Sequence, residues 1–93
     1  MNFYVVTYTL QSQAVRLKSA RRLKLYAQLK KSKRWWHYID STWIIGTNET
    51  ADELFTRLRA CVTRRDRLLI IEVAKDAERQ GWLPKKSWEW FRR

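Results

Sequence analysis

The chain has 93 residues, a formal net charge of +11 and six tryptophans, and 45% of its residues are hydrophobic. This length predicts a single domain over residues 1–93, and the hydrophobic content argues against a disordered chain. One cysteine excludes an internal disulfide and fits a reducing cytoplasm. No window reaches the ~18 apolar residues of a membrane span, and residues 1–10 are too polar for a signal peptide. We therefore expect a cytoplasmic protein with no membrane partner.

The first third of the chain predicts a strand followed by a basic helix. Residues 3–8 are rich in β-branched and aromatic residues and predict the strand. A turn or loop is expected over residues 10–14. Residues 15–32 are mostly good helix formers, such as leucine, lysine, arginine and alanine, and predict the helix. Its apolar residues lie on two stripes, one of them marked by Leu25 and Leu29.

The next segment predicts a β-hairpin. Residues 35–39 and 42–47 have strand composition, and only two residues separate them. So short a connection makes the two strands antiparallel neighbours. Because adjacent strand residues point to opposite faces, Trp35 and Trp36 cannot enter the same core. One of them is expected to meet a second subunit, solvent or a ligand.

The second half predicts a helix, a strand and a short terminal helix. Thr50 and Glu53 match a capping box, and apolar residues then recur at helical spacing. Residues 68–73 predict a strand that is apolar on both faces for four residues, as in a central or doubly covered strand. Pro84 suits the first position of a helix, and residues 85–91 follow as an aromatic helix.

The resulting order is β-α-β-β-α-β with a short C-terminal helix. This order is the split βαβ pattern and predicts an α+β, ferredoxin-like fold. Two helices would cover one face of the sheet. The other face also needs a cover, for which a second subunit is the simplest candidate, so a homodimer is expected.

A tryptophan-rich motif gives the chain a family resemblance. The run over residues 35–45, Trp-Trp-His-Tyr-Ile-Asp-Ser-Thr-Trp-Ile-Ile, resembles a motif of the small SinR-like proteins. Residues 66–72 and 81–84 resemble that family's last strand and its entry to the terminal helix. The family is similar to the small CRISPR adaptation nuclease subunit and to the VapD toxins, which are ferredoxin-like homodimers. The resemblance implies the same fold, a dimer and a CRISPR-associated-like character, although residues 10–34 are more basic than the family pattern.

One position departs from the pattern of the nuclease relatives. Their first strand ends in Tyr-Asp, and the aspartate binds a metal at the dimer interface. Here Tyr8 is followed by Thr9. We therefore favour a protein that is not an enzyme, and a metal-dependent nuclease remains an alternative that would need Asp40 or another acid as the ligand. Asp40 itself is expected to be a turn residue of the hairpin.

The remaining reactive side chains predict structural roles, with no catalytic residue, metal site or cofactor. Asp66 is expected to cap a turn or to pair with Arg64 or Arg67. His37, the only histidine, is expected to be a packed or hydrogen-bonded strand residue. Cys61 falls on the apolar stripe of the second predicted helix and is expected to be a small core residue.

The positive charge is concentrated in residues 1–35, which contain nine bases and no acid. These bases are Arg16, Lys18, Arg21, Arg22, Lys24, Lys30, Lys31, Lys33 and Arg34. Such a block repels itself unless an anion neutralises it. Lysine and arginine contacts to phosphate bind without reading sequence. The block therefore predicts sequence-nonspecific binding of DNA or RNA through these nine residues, and the alternative is a protein-interaction module, an inhibitor or regulator that docks on an acidic protein partner.

Overall fold

The computed structural model describes residues 1–11 and 15–92, without the side chains of residues 15–18. The described part contains four strands, three α-helices and one 3-10 turn: β1 (Asn2–Thr9), α1 (Val15–Leu29), β2 (Arg34–Ile39), β3 (Thr42–Thr47), α2 (Ala51–Leu58), the 3-10 turn (Arg59–Cys61), β4 (Arg67–Val73) and α3 (Lys85–Trp90). None of the helices in this part of the chain is long and apolar enough to cross a membrane. The expected loop over residues 10–14 lies partly outside the described residues.

The four strands form one sheet in the order β2-β3-β1-β4, and all neighbouring pairs are antiparallel. This order confirms the α+β, ferredoxin-like prediction. The prediction that the last strand is central is wrong, because β4 lies at an edge of the sheet. Leu69 and Ile71 are about half exposed there, so the apolar residues on that face of β4 reflect a surface that the chain itself does not cover.

The core lies between the sheet and the first two helices. Alternate residues of β1 and β3 point into it, as the two-residue period of a strand requires, and one stripe of each helix meets them. The fully buried core side chains are Tyr4, Val6, Leu25, Leu29, Trp43, Ile45, Leu54 and Leu58. Of the two predicted stripes on α1, the one with Leu25 and Leu29 is therefore the buried one.

Local signals set the ends of α2. Thr50 and Glu53 form the predicted capping box, in which each side chain accepts a hydrogen bond from the other residue's backbone N–H. The helix gives way to the 3-10 turn after Leu58, which places Cys61 at that turn, half-buried and packed against the core.

The face of the sheet opposite α1 and α2, here called the outer face, is partly covered by α3. The indole N–H of Trp36 donates to the Ser87 carbonyl at 3.3 Å, and both residues are buried. Phe3 meets Trp90 edge to face. Pro84 stands at the N-cap, one position before the first helical residue where it was predicted. The chain's own terminal helix thus covers the β2 side of the outer face, and the expected homodimer stays a prediction.

Candidate nucleic-acid interface

The structure divides the nine predicted phosphate-binding residues into three groups. The side chains of Arg16 and Lys18 lie outside the described residues. Arg21 and Arg34 are partly buried. The other five side chains are exposed: Arg22, Lys24, Lys30, Lys31 and Lys33. The exposed group is the part of the block that is available to a polyanion without disturbing the fold.

Arg21 is held in a cluster around Asp66. Its guanidinium forms an ion pair with the Asp66 carboxylate and donates to the Gln11 carbonyl at 3.2 Å. The backbone N–H groups of Gln11 and Thr63 each donate to that carboxylate at 2.7 Å. The prediction that Asp66 caps a turn is confirmed by the hydrogen bond from the Thr63 backbone N–H. The alternative, pairing with Arg64 or Arg67, is wrong, because Arg21 of α1 pairs with it instead. Arg21 therefore joins α1 to the turn that precedes β4.

The Asp66 carboxylate remains charged in this cluster. Burial raises the pKa of Asp66, but the hydrogen bonds from Gln11 and Thr63 and the charge of Arg21 outweigh it, so the net pKa lies below the usual value. Its side chain is only 1% exposed, and each oxygen has a partner. The cluster is fully paired, which marks it as structural.

Arg34 is packed against the terminal helix. Its guanidinium carbon lies 4.3 Å from the Trp90 ring centroid and 5.6 Å from that of Phe3. It also donates a hydrogen bond to the Trp90 carbonyl. Cation–π contacts of this kind are worth about 0.5–2 kcal/mol. Arg34 therefore helps to fix α3 on the outer face.

Three residues line the flank of α1 that faces β2, two of them within the helix and Lys30 directly after its last residue. Arg22, Tyr26 and Lys30 recur at a spacing of four, which places them on one side of the helix. The Lys30 ammonium lies 5.3 Å from the Trp35 ring centroid. The Tyr26 ring contacts His37 edge to face, with centroids 4.9 Å apart. Arg22, Tyr26, Lys30, Trp35 and His37 together form what we call the α1–β2 surface.

The aromatic part of the α1–β2 surface rests on a rigid base. Trp43 is completely buried, and His37 and Trp35 both lie against it, with centroids 4.0 and 5.6 Å away. His37 Nε2 lies 2.8 Å from the Asp40 carbonyl oxygen. His37 is thus the packed, hydrogen-bonded strand residue that the sequence predicts. Trp35 is 40% exposed, so one ring of this cluster reaches solvent.

The end of β1 lies beside the hairpin turn. The hydroxyls of Tyr8 and Tyr26 lie 3.5 and 3.4 Å from the Asp40 carbonyl oxygen. The Trp43 indole N–H donates to the Tyr8 hydroxyl at 3.2 Å. Burial raises the pKa of Tyr8, so this hydroxyl stays protonated. Asp40 forms the predicted turn, and Thr9 ends the strand with its side chain exposed.

Metal ligands do not gather at this strand end or elsewhere in the described residues. Across residues 1–11 and 15–92 no three histidine, cysteine, aspartate or glutamate side chains lie close enough to hold a metal ion. Asp40, the acid that the nuclease alternative would use, meets its neighbours through its backbone carbonyl.

The sequence predicts the charge of this site and names a ligand among the contacts expected for Trp35 or Trp36, but it assigns no binding role to Tyr26. The spacing of four from Arg22 through Tyr26 to Lys30 is the signal that could have identified this flank. Trp35 was recognised as one of two tryptophans on opposite faces. Its position at the sheet edge, next to Lys30, depends on the strand order.

The comparisons with known proteins identify the class of fold. No family model matches the chain, and no curated protein matches it. A solved structure, that of a hypothetical protein TT1823 from Thermus thermophilus, is similar over 89% of this chain and 94% of that chain. The two are 25% identical in sequence, with a TM-score of 0.63. The chain is therefore a small ferredoxin-like α+β protein, and that fold has already been seen in a protein described as hypothetical.

Proposed function

We propose that this protein binds nucleic acid without catalysing its cleavage, and that the α1–β2 surface is the main contact. One observation carries the proposal. The cations of Arg22 and Lys30 lie on the same side of the helix as Tyr26, and the Lys30 ammonium lies 5.3 Å from the exposed ring of Trp35. Single-strand binding sites combine two components. Cations contact the phosphate backbone, and an aromatic ring provides a face on which a base can stack.

The electrostatics support a polyanionic ligand. All nine acids of the chain lie after residue 35, so the charge of α1 is not balanced within the helix. Three further lysines are exposed and lie close in sequence to the residues of the α1–β2 surface: Lys24, Lys31 and Lys33. They add to the positive electrostatic potential around that surface. Each phosphate neutralised by a lysine or arginine releases counterions, so binding should weaken steeply as salt increases.

The ligand class is expected to be single-stranded, with little sequence preference. A single exposed ring at a sheet edge can stack on an unpaired base, whereas the bases of a duplex are stacked on one another. Ring faces and point charges accept any base, because reading a base edge needs paired donors and acceptors at fixed positions. We therefore expect similar affinities for different sequences of equal length.

Fluorescence anisotropy tests the proposal directly. Labelled single-stranded and duplex DNA and RNA are titrated with the protein from low to high salt, with magnesium or manganese present, and the products are run on a gel. Binding with a steep negative salt slope and intact oligonucleotide would support the proposal. Cut product would favour the nuclease alternative, and no binding at low salt would favour an acidic protein partner.

The family assignment is part of the proposal. The tryptophan-rich hairpin motif supports a place near the SinR-like proteins. A cytoplasmic location fits the half-buried, unpaired thiol of Cys61.

A further inference from the structure

An apolar groove lies on the outer face between the sheet and the terminal helix. Its floor consists of outward-facing residues of β1, β3 and β4, and its walls are the end of α3 and residues 74–79, which follow β4. The groove has a volume of about 190 Å³. Since a cavity of about 150 Å³ binds benzene, this groove has room for a ring somewhat larger than benzene.

The apolar lining of the groove has an aliphatic part and an aromatic part. The aliphatic side chains are Val5, Ile44 and Val73, and the aromatic ones are Phe3, Trp90 and Phe91. Trp90 meets the other two rings edge to face, with centroids 6.2 and 5.4 Å away. A planar ring packs on such rings in an offset or edge-to-face geometry, so the lining favours an aromatic ligand.

The charged side chains that line the groove are mostly positive. They are three cations and one acid: Arg34, Lys75, Arg79 and Glu78. Arg34 is already engaged by Trp90. Lys75 and Arg79 are exposed, and neither forms an ion pair with an acid in residues 1–11 and 15–92. This excess of positive charge around an apolar lining favours a ligand that carries a negative charge.

Arg79 brings one of these cations against the aromatic part of the lining. Its guanidinium carbon lies 4.7 Å from the Phe91 ring centroid. One of its N–H groups donates to the Ala77 carbonyl at 2.8 Å, which helps to orient the planar group. A guanidinium has five N–H donors and pairs with a carboxylate through two of them at once. An acidic arm on a ring in the groove would therefore meet a matching donor group.

We propose that this groove binds a small aromatic monocarboxylate, whose ring packs on the apolar lining and whose carboxylate pairs with Arg79 and Lys75. Most small-molecule sites are apolar pockets in which a few polar groups fix the orientation of the ligand. A single negative charge suits the groove, because the carboxylate of Glu78 would repel a second one. The groove lies on the face of the sheet opposite α1, so the proposal does not rest on nucleic-acid binding.

An amide NMR titration of the full chain with indoleacetate as the probe tests the proposal. We expect saturable shifts in residues of the groove and a dissociation constant of about 1 mM or tighter, as is usual for so small a ligand. Indoleacetamide keeps the ring but has no charge, and should bind roughly tenfold more weakly. Tryptamine, which is a cation, should bind more weakly than the amide. A wild type without saturable shifts up to about 10 mM indoleacetate would overturn the proposal.

Two variants test the two parts of the site. Arg79→Gln removes the guanidinium and should weaken indoleacetate binding by roughly five- to tenfold, while the affinity for indoleacetamide stays the same. Ile44 points to the outer face, because Trp43 and Ile45 on either side of it are buried in the core. Ile44→Trp should fill the groove and weaken both ligands by at least about tenfold. Circular dichroism checks that both variants are folded.

Two matched controls change side chains outside the groove. Lys85→Gln removes an exposed lysine of α3, and Trp82→Ala removes a fully exposed ring from the segment before α3. Neither should change the affinity for indoleacetate. Equal weakening of the acid and the amide by Arg79→Gln would overturn the proposal, because the guanidinium would then not pair with the carboxylate. A dissociation constant that rises with protein concentration would also overturn it, since a second copy of the chain would then cover the groove.

Discussion

The imidazole of His37 lies parallel to the indole of Trp43, with ring centroids 4.0 Å apart and planes within 9° of each other. Trp43 is completely buried, whereas His37 is half-exposed on the edge strand. The stack therefore connects the core to the α1–β2 surface. Tyr26 contacts both rings edge to face, so the stack also joins the hairpin to α1.

This stack predicts that an aromatic ring at position 37 contributes more to the free energy of unfolding than the imidazole nitrogens do. His37→Phe keeps a ring over Trp43 and should change the free energy of unfolding little. His37→Ala removes the aromatic pair, worth about 0.5–1.5 kcal/mol beyond the buried area, and should be clearly less stable. Urea denaturation of both variants measures this. Equal destabilisation of the two variants would show instead that the hydrogen bond between Nε2 and the Asp40 carbonyl is the main contribution.

A second prediction concerns stacking on Trp35. Base–aromatic stacking is worth about 1–3 kcal/mol per base, so Trp35→Ala should weaken binding of single-stranded oligonucleotides by roughly five- to a hundredfold. Duplex binding, which depends on phosphate contacts, should change much less. Anisotropy titrations at one salt concentration compare the two ligands. Trp82→Ala is the control, and equal effects of the two substitutions on single strands would contradict a localised stacking site.

A third prediction follows from the charge of Asp66. Because its folded pKa lies below the ordinary value, the ionised carboxylate stabilises the fold above the unfolded pKa of about 3.9, and this stability is lost as the pH falls through the folded pKa. Asp66→Asn removes a buried charge that pairs with Arg21 and should cost about 3–5 kcal/mol near neutral pH. The difference from wild type should shrink below about pH 4.

Denaturant titrations of wild type and Asp66→Asn between pH 3 and 7 measure that difference. Asp40→Asn, at an exposed turn, changes charge equally and should be nearly neutral at every pH. A difference between wild type and Asp66→Asn that stays constant down to the lowest pH would show that the carboxylate charge is not what stabilises the cluster.

A fourth prediction uses the two glycines. A Cβ on Gly46 would lie 2.9 Å from a ring carbon of Phe3 and 3.0 Å from Arg34 Cβ, whereas on Gly81 the nearest atoms, in Leu83, are 3.9 Å away. Gly46→Ala should therefore destabilise the protein by about 1–3 kcal/mol through overpacking. Gly81→Ala should be neutral or slightly stabilising, because it restricts the unfolded chain. Thermal melts of both variants measure the change in melting temperature. A Gly46→Ala variant as stable as wild type would mean that Phe3 and α3 can shift to make room for the added methyl group.

Local patterns were enough to predict the elements of this fold. The two-residue connection of the hairpin, the capping box of Thr50 and Glu53 and the position of Pro84 all act within a few residues. They placed β3 at its observed bounds and α2 at its observed start. Helix ends were less accurate. The first helix was predicted to residue 32, but it ends at Leu29.

Pairings between distant segments could not be predicted in this way. The partner of Asp66 is Arg21, 45 positions away, and proximity in sequence pointed to the wrong arginines. The edge position of β4 was missed for a related reason. A strand with apolar residues on both faces has the same composition whether its second face is covered by its own chain or exposed for another molecule.

The sequence predicted the positive charge of the candidate site but not the arrangement of its side chains. The run of bases without acids indicated α1 as the phosphate-binding element. Only the fold shows that Arg21 and Arg34 are engaged in structural contacts, and that Lys30 lies beside Trp35.

The most direct test of the nucleic-acid proposal compares two charge-reversal variants of equal net charge. Arg22→Glu with Lys30→Glu alters the α1–β2 surface, and Lys85→Glu with Lys86→Glu alters two exposed lysines of α3. Anisotropy titrations of a single-stranded oligonucleotide give the slope of log affinity against log salt for each. We predict that the first variant binds more weakly and that its slope is shallower by about 1.4 units, roughly 0.7 for each of the two phosphates that are no longer neutralised. The second variant should stay near wild type. Equal weakening in both would contradict a localised interface and leave only a general effect of net charge.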